Sequence, residues 1–469
     1  MTPQPTQQAA KTAQQAAKTT ARTANGNRNA ADPLLPVPGL AAPRRPKRVR
    51  ISERTLPSGL RVVAVRRPTV PMVEVRLWVP FFSTKPTHQA RSSLLAATMV
   101  TGTANRNRVE LATAFGALGA ELTVGVDPDR LMLSSSALAT ELPPLLGLIA
   151  EVVTGARYPS GEVARERTRL ADRIRVSRSQ AGSQSAEALA RRLAPGHPYG
   201  VTLPTEEQIH ATTAGQLRAL HAGLVRPDGA LLVLVGDLSP ARALAAAERA
   251  LADWTGSPAL SRAVPVPEVH AQPLQVVHRP GSVQTSFRFG GTALPRSHPS
   301  YPALQLANLA FGGYFSSRWV ENIREHKGYS YSPRSVLEHA QLGSTFQAAA
   351  DVATEVTAAA VLETFYELGR IASVPITPAE LDSAQQYAIG SLALSTATQA
   401  GLANQITALL STGLDVDWLI EHPARLLKVT AEQVTEAAAQ FLAPRRLVGV
   451  AVGDAELISG RLSAITEIE

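Results

Sequence analysis

The 469-residue chain contains no cysteine. That absence excludes disulfide frameworks, cysteine-ligated zinc, cysteine-held iron–sulfur clusters and thiol catalysis together. It fits either redox compartment. Long apolar runs are also missing. None approaches the roughly 18 residues that a membrane helix needs, so no membrane span is expected. Acids are scarce at the start: the first 50 residues hold nine Lys/Arg and one acid, Asp32. That segment accounts for the net charge of +8, and the remainder is close to neutral. The basic balance therefore marks a tail rather than a nucleic-acid surface, and no nucleic-acid partner is expected. The N-terminal stretch has no apolar centre of about 7–15 residues, as a secretory signal would. A bacterial cytoplasmic location is the expectation, with an organelle transit peptide as the minor alternative.

What is present is a globular composition, 45% apolar and 18% charged. The length suits two domains of about 200 residues each plus a tail. Residues 1–48 read as a disordered, basic, low-complexity tail, with a Pro-rich stretch from Pro33 to Pro46. Order is expected from Val49. Leu56-Pro57-Ser58-Gly59-Leu60 carries hairpin-turn chemistry. Val73, Val75, Leu77 and Val79 alternate with Glu74, Arg76 and Trp78, as in a half-buried strand. Helices are expected at Leu94–Met99 and Val109–Leu118, and strands at 122–126 and 131–138. A long charged helix is expected from Glu162 to Ser177. The pattern is α+β, with antiparallel strands in pairs and helices in runs.

The second half repeats the first. Aligned without gaps, residues 213–237 and 430–454 share nine identities, among them Thr213/Thr430, Gln216/Gln433, Pro227/Pro444 and Gly236-Asp237/Gly453-Asp454. Two homologous domains follow: 49–256, a linker at 257–273, and 274–469, each a mainly antiparallel sheet packed with helices.

One stretch of the second domain concentrates unusual residues. Phe311-Gly312-Gly313-Tyr314-Phe315-Ser316-Ser317-Arg318 reads as a glycine-rich turn. Trp319 to Gly328 reads as a helix closed by a left-handed glycine cap. A strand is expected at once after it, with Tyr331 three residues in. Arg324 and Tyr331 would then point the same way across a helix-to-strand corner. Taken singly, Arg324 could be a last-turn cation offsetting the helix dipole, and Tyr331 an ordinary strand aromatic. His197-Pro198-Tyr199-Gly200 reads as a structural turn.

The duplicated α+β domains, the Leu-Pro-x-Gly-Leu hairpin and the Ser-Ser-Arg…Ile-Arg-Glu-x-x-Gly-x-x-Tyr-Ser corner together resemble the pitrilysin/insulinase family of zinc peptidases. The resemblance covers about residues 49–460. It implies that the two domains form half of a clamshell chamber. In active members the first domain carries an inverted zinc motif, H-x-x-E-H, whose two His bind zinc and whose Glu is the general base. The matching helix here places Leu94, Ala97 and Thr98 at those positions. A register shifted by one gives Ser93, Ala96 and Ala97. The position of the further ligand falls at Asp172 or Arg173. Leu and Ala cannot bind zinc or move a proton, so no metal and no cofactor is expected on this chain.

The resemblance implies a division of labour between two chains. A homologous catalytic subunit would bring H-x-x-E-H and Zn2+. This chain would bring Arg324 and Tyr331, which contact the substrate carbonyl and the developing oxyanion at the partner's site. Gly312 and Gly313 would contact peptide, and so could the edge strand Leu122-Thr123-Val124, by strand addition. The expected function is the non-catalytic subunit of a heteromeric zinc-dependent endopeptidase, active only within the complex and acting on peptide. The alternative is a scaffold subunit with no part in chemistry.

Overall fold

The computed structural model describes residues 48–469. The expected tail lies outside the described residues except for Arg48. Two sheets organise the rest. The first half runs β1 (Ile51–Thr55), β2 (Arg61–Arg66), β3 (Met72–Pro80), α1 (His88–Thr98), α2 (Arg108–Ala117), β4 (Thr123–Val126), β5 (Arg130–Leu138), α3 (Leu142–Gly155), α4 (Ser160–Arg178), α5 (Ala181–Leu193), α6 (Glu206–His210), α7 (Ala214–Leu224), β6 (Leu231–Gly236) and α8 (Pro240–Ala250). The second runs β7 (Gln275–His278), β8 (Gln284–Ala293), α9 (Tyr301–Asn308), α10 (Arg318–Val320), β9 (Arg334–His339), β10 (Ser344–Ala353), α11 (Thr357–Ser373), α12 (Pro378–Ser395), α13 (Gln399–Ser411), α14 (Trp418–Leu426), α15 (Ala431–Phe441), β11 (Val448–Gly453) and α16 (Ala455–Leu462). Residues 254–273 carry no helix or strand.

The six-stranded sheet is ordered β1-β2-β6-β3-β5-β4 and the five-stranded sheet β7-β11-β8-β10-β9. Without β1, the two orders are the same order of equivalent strands. The 217-residue offset read from the sequence holds at element level: α7 and α15, and β6 and β11, begin and end at positions 217 apart. Both helices open on the same capping box, Thr213 with Gln216 and Thr430 with Gln433. Both closing strands end in a glycine for the same steric reason. A Cβ on Gly236 would lie 2.2 Å from the Met72 carbonyl oxygen, and one on Gly453 2.5 Å from Thr285 Oγ1.

One feature of the sheets departs from the expected antiparallel pairing. The closing strand of each repeat inserts beside an early strand and runs parallel to it, β6 with β2 and β11 with β7. Both inserted strands are buried at every position. That explains why Leu231-Leu232-Val233-Leu234-Val235 is a continuous apolar run rather than an alternation: both faces are covered.

The covers are exchanged between halves. On the first sheet, Val63, Val65, Val233 and Val235 cluster with Leu402, Ile406 and Leu409 of α13, a helix of the second half. On the second sheet, Val448, Val450 and Val452 cluster with Ala188, Leu189 and Leu193 of α5, from the first half. Helices α5 and α13 occupy equivalent places in the two repeats. Each half therefore buries its outer sheet face only through the other, so the two sheets share one cooperative body. Ile406 is fully buried. Ile406→Ala should lower stability by about 2–5 kcal/mol, and denaturant unfolding followed by two probes should still show one transition. Two separated transitions would contradict the exchange as the source of cooperativity.

Candidate functional site

The corner departs from the expected plain helix and strand. Helix α9 continues into a π-helical segment, Leu309–Gly313, and the three-residue α10 is followed by a second, Glu321–His326. Such wide turns are rare and are frequent at functional sites. The second is held from outside. Asn322 Nδ2 donates to Glu363 Oε2 and Glu367 Oε1, both at 2.9 Å, on α11. Lys327 Nζ lies 3.2 Å from Glu363 Oε1. Gly328 is left-handed, at φ +64°. The Tyr329 N–H donates back to the Ile323 carbonyl at 2.8 Å, closing the cap.

Tyr331 does not lie in the strand. It sits in a bend, and β9 begins only at Arg334. Two causes delay the ladder. Pro333 has no N–H to donate, and Ser330 Oγ is tied to the Asp351 carbonyl at 2.8 Å. The bend turns Tyr331 outward, 84% exposed.

Arg324 and Tyr331 are brought together. The guanidinium carbon lies 5.0 Å from the Tyr331 ring centroid and 4.4 Å from that of Phe315. Arg324 Nε is 3.2 Å from Glu325 Oε1. Its donors are thus presented at the surface beside an exposed phenol, an arrangement able to stabilise negative charge on an approaching oxygen.

Gly312 and Gly313 are explained by packing. A Cβ on Gly312 would come 2.8 Å from Trp319 Cε3, and one on Gly313 2.8 Å from Asn308 Nδ2. Trp319 is fully buried, stacks on Phe311 at 5.2 Å and donates to Thr364 Oγ1 at 3.0 Å. The Ser-Ser-Arg pattern is structural as well. Ser317 Oγ donates to the Tyr314 carbonyl at 2.6 Å. Arg318 grips Glu380 with two bonds, Nε to Oε1 at 2.5 Å and Nη2 to Oε2 at 2.9 Å. That grip, more than any other contact, holds the Glu380 carboxyl down to about 2.

The positions expected to match the zinc motif lie elsewhere, on α1. Leu94 and Thr98 are fully buried, and Thr98 Oγ1 donates to the Leu94 carbonyl at 2.5 Å. Ala97 is half-buried. Asp172 and Arg173 are exposed on α4, with Asp172 paired to Arg175 at 3.0 Å. These residues do not fit zinc in either register. Among the described residues, no three or more His, Cys, Asp or Glu are grouped so as to hold a metal.

The edge strand is shorter than expected. Strand β4 starts at Thr123, with Leu122 buried just before it and Val124 half-buried. It is one edge of the six-stranded sheet, whereas the corner leads into β9, one edge of the five-stranded sheet. The tips of the hairpins they form meet through a contact that was not foreseen. Tyr199 Oη donates to Asp129, 2.7 Å from Oδ1 and 2.8 Å from Oδ2, and the N–H groups of Gln341 and Leu342 donate to Asp129 Oδ2 and Tyr199 Oη, both at 3.0 Å. Burial raises both the Asp129 carboxyl and the Tyr199 phenol. The His-Pro-Tyr-Gly turn thus joins the two halves. The other residue that sequence reasoning missed is Phe315, whose only signal was a large apolar side chain in a turn.

Comparison with known proteins fits this architecture. Residues 211–387 match the family described as Peptidase M16 inactive domain. The chain is similar to an uncharacterized zinc protease of Mycobacterium tuberculosis, 26% identical over 429 residues, covering 89% of this chain and 94% of the relative. It is also similar to a probable inactive metalloprotease of Bacillus subtilis, 26% identical over 204 residues, 41% of this chain and 47% of that one. Among solved structures, a peptidase M16 inactive domain from Pseudomonas fluorescens superposes with a TM-score of 0.80 at 26% identity, covering 86% of this chain and 98% of that one. With its duplicated two-sheet fold, the chain is thus similar to M16 peptidases, and through residues 211–387 to the domain of that family described as inactive.

Proposed function

We propose that this chain is the non-catalytic half of a heteromeric zinc-dependent endopeptidase. A homologous partner carries H-x-x-E-H, the metal and the general base. This chain supplies one wall of a chamber, built from domains 49–256 and 274–469, and presents Arg324 and Tyr331 to peptide held at the partner's site. One observation carries the reading: the guanidinium carbon of a half-buried Arg324 lies 5.0 Å from the ring centroid of an exposed Tyr331 at the corner, while the sequence holds no H-x-x-E-H. The guanidinium and the phenol donate hydrogen bonds to an oxygen that gains charge as the peptide carbonyl is attacked. The edge strand β4 offers a second place for extended peptide.

The test is an affinity pull-down of the tagged chain from its native extract, with the eluate assayed for zinc and for cleavage of a quenched fluorescent peptide library. The expected result is a stoichiometric partner bearing H-x-x-E-H, with zinc and activity present in the pair and absent from this chain alone. Recovery without such a partner, or in a stable assembly that binds no zinc, would overturn the reading and leave a scaffold role. Among the described residues no helix is long and apolar enough to cross a membrane, so a detergent-free extract is the starting material.

A further inference from the structure

Phe315 is 57% exposed within the turn that precedes α10. The turn around it is built with care for its position. Gly312 is pressed against Trp319, Tyr314 is extended at φ −150° and ψ 173°, and Ser317 bonds back to the Tyr314 carbonyl by both its N–H and its hydroxyl. These contacts fix the backbone on either side of a phenylalanine that is itself left largely in water. Its one specific contact among the described aromatic and cation pairs is Arg324, whose guanidinium carbon lies 4.4 Å from its ring centroid. Tyr331 stands 5.0 Å from the same carbon.

An arginine side chain has several rotatable bonds, and among the described residues Arg324 has Glu325 as its one charged partner, through Nε at 3.2 Å. That pair is exposed and weakly directing. Two aromatic rings against one guanidinium restrict it far more, because the planar group stacks on a ring. We propose that Phe315 is a positioning residue. It and Tyr331 hold the Arg324 guanidinium between them, so that its donors are aimed before substrate arrives. The proposal rests on the reading of Arg324 as a substrate-contacting group. Its chemistry is preorganisation: a donor already aimed need not be ordered in the transition state.

The experiment compares Phe315→Leu, Phe315→Tyr and Arg324→Ala in the complex recovered from native extract, with a quenched fluorescent peptide that the complex cleaves. Leucine keeps apolar volume and removes the ring. Phe315→Leu should lower kcat by about 5–10-fold with KM little changed, as expected for lost orientation. Phe315→Tyr should restore most of it. On an Arg324→Ala background, Phe315→Leu should have no further effect. In the isolated, arginine-labelled chain, the Arg324 Nε–H resonance should lose an upfield ring-current shift in Phe315→Leu. If Arg324→Ala slows turnover but Phe315→Leu does not, or if the Phe315→Leu loss persists without Arg324, the positioning role is overturned while the site reading stands. If Arg324→Ala leaves turnover untouched, the site reading falls. The Nε–H shift then judges the clamp alone: an unchanged resonance in Phe315→Leu overturns it.

Discussion

Arg324→Ala should lower kcat/KM of the proposed heteromeric peptidase by about 10²–10³-fold, the range found when one preorganised oxyanion donor is removed. Tyr331→Phe, which removes a single hydroxyl, should act in the same direction. Neither change should disturb the fold. Tyr331 is 84% exposed, and the Arg324 side chain makes no buried ion pair. Its contribution as a last-turn cation is about 0.3–1 kcal/mol. A loss of rate with unchanged denaturant midpoint and unchanged recovery of the partner therefore separates a role in chemistry from one in stability or assembly. Full activity in both variants would remove the corner from the mechanism and leave the pair as surface residues. Leu94 and Thr98, at the positions expected to match the zinc motif, belong to the core.

Acid should destabilise the chain steeply between pH 6.5 and about 4, through imidazoles buried in the neutral form. Burial is the main cause in each case. It lowers His422 to about 3, with Arg425 and Arg296 adding repulsion, and His339 to about 4, with Arg296 adding. It lowers His88 to about 4, with Lys85 and Arg91 adding. His221 shifts the same way by burial. His422 stacks on Trp418 at 4.0 Å and donates through Nε2 to Gln305 Oε1 at 2.6 Å. Tyr301 lies 5.5 Å from His422 and 5.3 Å from His339.

The sign follows from proton binding. Below pH 6.5 the unfolded chain protonates these rings and the folded chain does not, so the unfolded state gains as pH falls. The loss stops only once the folded rings protonate too, near pH 4 for His339 and His88 and near 3 for His422. Each ring steepens the dependence by up to about 1.4 kcal/mol per pH unit, so three give a slope of roughly 4. Denaturant midpoints at pH 7.5, 6.0 and 5.0 measure it, and His422→Gln should remove about a third of the slope. A midpoint that does not move between pH 7.5 and 5.0 would show that these rings are not held neutral.

Much of the first half was legible because its signals are local. The alternation from Val73 to Val79 marked β3, and Glu162 to Ser177 fell inside α4 with boundaries off by a residue or two. Helix α1 was read short, from Leu94. Its first turn, starting at His88, is polar and carries little apolar periodicity. The corner was half legible. Gly328 takes the left-handed cap expected of it, and Arg324 meets Tyr331. The second π-helical turn and the bend at Tyr331 were not, because bonds from Asn322 to α11 and from Ser330 to Asp351 hold them. No periodicity announces a wide turn held from outside.

By itself the sequence determined three things about this protein: that it is a duplication, that it holds no H-x-x-E-H, and that an Arg and a Tyr are spaced to meet behind a glycine cap. Residue identity and short-range spacing suffice for each. The tertiary structure alone decided which helix covers which sheet, that Arg318 serves Glu380 from 62 residues away, and that Asp129 takes the backbone of Gln341 across 212 residues. It also turned Phe315 onto Arg324. These are pairings between segments whose local patterns are satisfied equally well apart. Only the burial of both faces of β6 and β11, which neither half can achieve alone, selects the arrangement that brings them together.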